Sequence, residues 1–198
     1  MIPVLRVKDP VSAGLLLHKN FGFEPSGPLW QLGEQSIRLV AEGEVPEHFT
    51  ALPFDHLAIA ASDIDKHAER FQSKGAILSK DYTPDGPREI AEFWEQGVRY
   101  IFFNGPDNAP LEFCEIKGRP HLDHFGHSHI GVRRSSIAEA MNEISHFDAK
   151  LIASYRLDGG GTPVNVAFVN WGNVVLEFFD EPAPTARGET GWIGFVRS

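Results

Sequence analysis

One short stretch of this sequence occurs twice with a histidine in the same place, and this repeat constrains the fold more than any other feature. FDHLAIAASD, which contains His56, is matched by SHIGVRRSS, which contains His129, 73 positions later. Each histidine opens a short apolar run that is followed by apolar residues at helical spacing. A repeat of so long a period is not typical of an open array, and it predicts a pseudosymmetric domain.

A second pair of similar stretches lies downstream of the two histidines. PLEFC contains Glu112 and VLEFF contains Glu177, so each stretch holds one acid inside an apolar run. The first acid follows His56 by 56 positions, and the second follows His129 by 48 positions. Scattered surface residues are not expected to repeat in this order at similar offsets. The pattern therefore predicts that the four residues act together.

The whole chain can be divided into three copies of one strand and helix unit. Residues 1–50 predict a strand, a helix and two short strands, which form a shortened first module. Residues 51–118 and residues 119–198 predict the fuller order βαβββ, the last with a C-terminal tail. Ser62 and Ser136 are the expected N-caps of their helices. The expected fold class is α+β, with repeated βαβββ modules whose curled mixed sheets surround a central cavity and carry the helices outside.

Strand geometry predicts that the two histidines and the two acids share one face. Side chains alternate along a strand, and the count leaves all four opposite the helices: His56, Glu112, His129 and Glu177. Buried charges need compensation, which one divalent ion would give. The set suits Ni, Co, Mn, Fe or Zn, with adjacent positions left for two neighbouring substrate oxygens. Each residue alone would more often be structural or exposed, and the repeat favours metal binding.

Several other residues are candidates for a role near this set. Arg133 shares the face of His129 and is a candidate for binding a substrate carboxylate, although such an arginine equally often reaches solvent. Residues 159–161 are consecutive glycines and are a candidate mobile lid. Residues 192–196 are expected to add an edge strand. Five aromatic residues are candidates for the wall of a pocket: Trp94, Tyr100, Phe102, Phe168 and Trp171.

Composition and charge argue against several classes of protein. The formal net charge of -9, with acids spread along the chain, argues against a nucleic-acid partner. The single cysteine, Cys114, cannot form an internal disulfide, which is typical of a reducing compartment. The first residues lack the apolar core of a signal peptide, and no long apolar run predicts a membrane span. We therefore expect a cytoplasmic protein. The expected partner is a small-molecule substrate, and the expected state is a monomer or a homodimer.

The motifs resemble those of the vicinal oxygen chelate superfamily, which includes glyoxalase I, bleomycin-resistance proteins and extradiol dioxygenases. DHLAIAASD and SHIGVRRSS are similar to its first strand with a histidine, and PLEFC and VLEFF to its last strand with an acid. The order His, Glu, His, Glu is most similar to that of glyoxalase I. In the first module Ile2 stands in place of the histidine and Arg38 in place of the acid. That module is therefore expected to supply no ligand.

The resemblance implies a divalent-metal-dependent glyoxalase-like isomerase or lyase whose substrate chelates the metal through neighbouring oxygens. One ligand carboxylate, Glu177 or Glu112, would then leave the metal and carry a proton between substrate carbons. Two alternatives stay open. An extradiol-type dioxygenase would use His56, His129 and Glu177 as a triad, although Glu112 would occupy one of its free positions. A binding protein of the bleomycin-resistance type would keep the fold without the metal.

Overall fold

The structure is a computed structural model that describes residues 1–119, 124–144, 148–158, 162–180 and 190–197. The glycines expected to form a lid, residues 159–161, lie outside the described residues. Three α-helices are described, α1 (Pro10–Phe21), α2 (Ile64–Ser73) and α3 (Ile137–Ile144), together with a short 3-10 helix at Pro106–Asn108. The strands are β1 (Ile2–Val7), β2 (Glu24–Ser26), β3 (Leu29–Leu32), β4 (Gln35–Ala41), β5 (Phe49–Ala51), β6 (His56–Ala60), β7 (Ile77–Leu78), β8 (Arg88–Ile90), β9 (Val98–Asn104), β10 (Pro110–Ile116), β11 (His127–Arg133), β12 (Lys150–Leu157), β13 (Val164–Trp171), β14 (Val174–Phe179) and β15 (Gly191–Val196). No helix within these ranges is long and apolar enough to cross a membrane.

The larger sheet has nine strands and contains two βαβββ units side by side. Its strand order is β12-β13-β14-β11-β6-β10-β9-β7, and β8 pairs with β9. The first strands of the two units, β6 and β11, pair antiparallel at the centre. Each also pairs in parallel with the last strand of its own unit, β10 or β14. The opposite side of the sheet from α2 and α3 lines a cavity of about 530 Å³. The predicted α+β fold with curled mixed sheets is confirmed.

Strand alternation divides the central strands between a core side and a cavity side. Leu57 and Ile59 of β6 are fully buried in the main core with Phe71 of α2. His56 and Ala60 of the same strand line the cavity instead. Because burial of apolar side chains against the helix favours only this register, it also fixes the direction of the polar residue that alternates with them.

The helix starts follow from local capping groups. Helix α2 has Asp63 as its N-cap, and the Asp63 carboxylate accepts a hydrogen bond from the N–H of Lys66 at 3.3 Å. The expectation that Ser62 caps this helix is wrong, because the next residue offers an equally good acceptor. At α3 the expected cap is confirmed, since the Ser136 hydroxyl accepts a hydrogen bond from the N–H of Glu139 at 3.2 Å.

The smaller sheet joins the first module to the end of the chain. Its strand order is β2-β3-β4-β1-β15-β5. Strand β1 pairs in parallel with β4 and antiparallel with β15, as β6 pairs with β10 and β11. The expectation of an edge strand at residues 192–196 is wrong, because β15 lies between β1 and β5. Its Trp192 and Phe195 are buried and stack on Phe54, with ring centres 5.2 and 5.5 Å away.

The smaller sheet repeats the pairing of the larger one with different side chains. Arg38 lies opposite Val4, as Glu112 lies opposite Ala58 in the larger sheet. Ile2, two residues before Val4, therefore corresponds to the first histidine of the repeat. In the smaller sheet, Ile2 thus stands at the position of His56, and Arg38 stands at the position of Glu112.

Candidate metal centre

Two imidazoles and two carboxylates meet where the central strands of the larger sheet pair. The Nε2 atoms of His56 and His129 are 3.4 Å apart. Oε2 of Glu112 lies 3.2 Å from each of these nitrogens, and Oε2 of Glu177 lies 3.4 Å from each. All four side chains are buried, the most exposed at 11%. The residues that the repeat placed on one face therefore come together at one point.

The strand pairing explains how residues far apart in the sequence meet. On β11, Gly131 pairs with His56, and His129 lies two residues earlier on the same side. On β14, Glu177 pairs with Gly131 from the other direction, and Glu112 holds the corresponding place on β10. A methyl group at Gly131 would overlap the imidazole of His56. The glycine therefore leaves the space that the ring occupies.

Burial and mutual charge set the protonation states of the cluster. Burial lowers the pKa of both imidazoles, but the neighbouring carboxylates outweigh it, raising the pKa of His129 to about 9 and that of His56 well above its usual value. Burial raises the pKa of both carboxyl groups, but the imidazoles outweigh it, lowering the pKa of Glu177 to about 2 and that of Glu112 below its usual value. Without a metal, two protonated imidazoles therefore pair with two ionised carboxylates, and a divalent cation could supply the same two positive charges in place of the imidazole protons.

The spacing and chemistry of the donors fit one divalent cation. The ligand atoms of His56, His129 and Glu177 lie within 4.8 Å of one another, and Glu112 reaches both imidazoles. Around an ion with bonds of roughly 2.1 Å, adjacent ligand atoms are roughly 3.0 Å apart in an octahedron and roughly 3.4 Å in a tetrahedron. The observed separations of 3.2 and 3.4 Å lie in this range. The buried cluster could hold a metal ion, whose two charges would take the place of the two imidazole protons.

Asp55, directly before the first histidine, fixes the orientation of the His56 ring. Oδ1 of Asp55 lies 3.0 Å from Nδ1 of His56 and accepts a hydrogen bond from the Tyr82 hydroxyl at 2.7 Å. Arg133 holds Oδ2 of Asp55, with its Nη2 at 3.2 Å and its Nε at 3.3 Å. Because a carboxylate only accepts hydrogen bonds, Nδ1 carries a proton, and Nε2 is the nitrogen whose lone pair a metal would use once the ring has lost its second proton.

Arg133 contacts Asp55 instead of reaching solvent. Its side chain is 15% exposed, and its guanidinium lies 4.5 Å from the centre of the Phe179 ring. Arg133 is not among the described residues that line the cavity, so its contact with a substrate carboxylate stays a prediction. Sequence reasoning missed Asp55 and Tyr82. The position of Asp55 directly before His56 was a usable signal in the sequence. Tyr82 lies in a distant loop, and nothing in the sequence indicates its contact with Asp55.

We expect Asp55→Asn to weaken Zn²⁺ binding by about 10- to 100-fold. This is the usual loss of affinity when the group that hydrogen-bonds to a metal-binding histidine is replaced. The substitution removes the negative charge that Arg133 and the His56 ring contact, and its amide group can turn a donor toward Nδ1. Competition with a chromophoric chelator measures the change. Asp65→Asn, which alters an exposed acid paired with Arg99, should leave the affinity unchanged. Equal affinities in the two variants would contradict the role given to Asp55.

Aromatic rings form the walls of the cavity beside the cluster. The Phe102 ring lies 4.9 Å from the His56 ring, and the Phe168 ring lies 5.7 Å from the His129 ring, measured between centres. Four of the five predicted wall residues line the cavity. The prediction for Trp171 is wrong, because this residue packs against the main core. Alternation along a strand does not predict which of its aromatic residues pack into the core and which line the cavity.

Solved structures with the same fold support the resemblance that the motifs indicated. Glyoxalase I from Zea mays is similar with a TM-score of 0.65 and 18% identity, over 96% of this chain and 70% of that chain. Crystal structures of two mutants of that protein give TM-scores of 0.66 and 0.67 at 17% and 16% identity, again over 96% of this chain, and over 70% and 71% of theirs. No protein-family profile and no curated protein matches the sequence. The chain has the vicinal oxygen chelate fold.

Proposed function

We propose that the protein is a divalent-metal-dependent isomerase or lyase of the glyoxalase type, acting on a small substrate with two neighbouring oxygens. The observation that carries the proposal is the contact of two imidazoles and two carboxylates, at 3.2 to 3.4 Å, on the wall of one cavity. His56, His129, Glu112 and Glu177 are the proposed ligands. When bound, the ion (Ni, Co, Mn, Zn or Fe) would polarise the substrate oxygens and stabilise negative charge on them.

Glu112 and Glu177 are the proposed proton carriers. Both are ionised at neutral pH, and either carboxylate, once it left the ion, would be a basic oxygen that could accept a proton from one substrate carbon and return it to the next. They belong to β10 and β14, which flank the central pair of strands on opposite sides. One carboxylate is thus available on each side of a substrate that lies over the histidines. Apolar side chains on the cavity wall, such as Phe102 and Phe168, would strengthen these charge interactions by keeping water from a bound substrate.

Anaerobic turnover of hemithioacetals tests this function. Metal-loaded protein is mixed with 2-oxoaldehydes and a panel of thiols, and thioester formation is followed by absorbance. We expect turnover that a chelator abolishes and that added metal restores. Glu177→Gln and Glu112→Gln should each lower kcat, by about 100-fold or more for the principal proton carrier. Turnover that is unaffected by the chelator and by both substitutions would contradict the proposal.

An extradiol-type ring-cleaving dioxygenase is the second candidate. It is favoured by the group of His56, His129 and Glu177, whose ligand atoms lie within 4.8 Å of one another, because two histidines and one carboxylate are the ligands of many non-haem iron oxygenases. Oxygen uptake by Fe²⁺-loaded protein with catechols separates the two functions. Uptake without anaerobic turnover would replace the first proposal with this one.

A further inference from the structure

A continuous strip of aromatic rings leads from the proposed metal site along the cavity wall. The Phe168 ring lies 5.7 Å from the His129 ring and 5.1 Å from the Trp94 ring. The guanidinium of Arg119 lies 5.6 Å from the centre of the Trp94 ring. All four side chains line the same cavity. The strip therefore connects a chelating site at one end to a cation at the other.

The backbone at Trp94 is held in a costly conformation that keeps the indole on this wall. Its φ angle is 57°, in the left-handed region that a bulky residue seldom adopts. The backbone N–H of Trp94 donates a hydrogen bond to the Tyr155 hydroxyl at 2.9 Å, and Tyr155 also packs on Phe168. Strain of this kind concentrates at functional sites, where the surrounding contacts maintain it.

The wall beside His56 is also aromatic. Phe102 lies edge-on to His56 with ring centres 4.9 Å apart, and Tyr82 stacks on Phe102 at 4.4 Å. An aromatic ligand between such walls gains both apolar burial and favourable ring contacts. A peptide-like body would instead leave polar groups facing hydrocarbon, which costs free energy.

Two arginines line the cavity, and neither has a carboxylate within ion-pair distance among the residues that the structure describes. These are Arg119 and Arg88, and both are exposed. Arg119 is the one that lies over the aromatic strip, so its guanidinium is the cation placed to meet a substrate anion there. A guanidinium that already lies over an indole can still form two parallel hydrogen bonds to a carboxylate.

From this arrangement we infer that the substrate is an elongated aromatic molecule with two chelating oxygens at one end and an anionic group at the other. The inference rests on the proposed function for the chelating end. The aromatic body lies along Phe168 and Trp94, and the anionic group reaches Arg119. Trp94 and Arg119 are thus specificity-determining residues outside the set of proposed ligands.

Hydroxamic acids, which present two neighbouring oxygens, test each part by calorimetry on Zn²⁺-loaded protein. We expect naphthalene-2-hydroxamate to bind at least about 10-fold more tightly than acetohydroxamate. A 6-carboxyl group on the naphthalene should improve binding by about fivefold over its methyl ester, the upper range for an exposed ion pair. Trp94→Ala should reduce the first preference and Arg119→Gln should abolish the second, while neither variant changes Zn²⁺ affinity.

The possible results separate this inference from the function on which it rests. If Zn²⁺ binds but no hydroxamate does, the proposed chelating function fails. If acetohydroxamate binds as tightly as the naphthalene compound, or the ester as tightly as the acid, the inference is overturned while the function stands. Unchanged preferences in both variants would likewise overturn it.

Discussion

His129→Ala should weaken the binding of a divalent metal by more than about 100-fold. This exceeds the usual effect of replacing a residue that only hydrogen-bonds to a ligand. The Nε2 atom of His129 lies within 3.4 Å of His56, Glu112 and Glu177, so its loss removes a proposed ligand that touches the other three. The variant also leaves two buried carboxylates with one imidazole. Calorimetric titration of metal-free protein with Zn²⁺ or Ni²⁺ measures the loss.

His124→Ala is the matched control for this experiment. His124 is an exposed histidine near the start of the same strand, and its imidazole is not part of the cluster. This variant should bind metal as tightly as the unsubstituted protein. Equal loss of affinity in both variants, or undiminished binding by His129→Ala, would contradict the ligand role of His129.

Gly131→Ala should both destabilise the protein and disrupt the proposed metal site. The added methyl group would overlap the His56 imidazole, which cannot easily retreat because Asp55 holds Nδ1 at 3.0 Å and Phe102 lies 4.9 Å away. Overpacking of a filled interior typically costs about 1–3 kcal/mol. Urea denaturation measures the loss of stability, and a Zn²⁺ titration of the folded variant should show affinity at least about 10-fold lower.

Gly126→Ala is the matched control, because Gly126 directly precedes β11, the strand that contains Gly131. A methyl group there would meet only Oε2 of Glu34, at 3.4 Å, which is an ordinary contact. We therefore expect little change in stability or in metal affinity. If Gly131→Ala behaved like this control, the close packing of His56 on the glycine would be wrong.

The candidate site could be predicted from the sequence because its information is local and repeated. Alternation along each strand fixes which residues share a face. Because Leu57 and Ile59 are buried against α2, His56 must lie on the other face of the strand. The second copy of the pattern then indicates that two such faces meet. No long-range contact had to be known to place His56 and His129 on one side of a sheet.

The features that sequence reasoning missed depend on contacts between distant parts of the chain. The sequence predicts an edge strand at β15. In the structure β15 pairs with β1 on one side and with β5 on the other. An unpaired strand edge is a liability, and the position of β15 removes one. In the same way Asp55 is joined by Tyr82 and Arg133, which lie 27 and 78 positions away. Local patterns carry no signal for such partners.

We also propose that the chain comprises three modules, at residues 1–50, 51–118 and 119–198, with β15 completing the sheet of the first. The pairing of β1 with β4 and β15 repeats that of β6 with β10 and β11. With Ile2 and Arg38 at the corresponding positions, the first module would support the fold without binding metal. Replacing Arg38 with glutamine should therefore leave metal affinity unchanged.

Four side chains, one each from β6, β10, β11 and β14, are proposed to hold a single divalent ion. Mass spectrometry for metals, applied after dialysis against Zn²⁺ and then against metal-free buffer, tests this most directly. We expect about one ion per chain, because the buried donors should retain it. A metal content near zero, or one that is unchanged when His56 and His129 are both replaced by alanine, would contradict it.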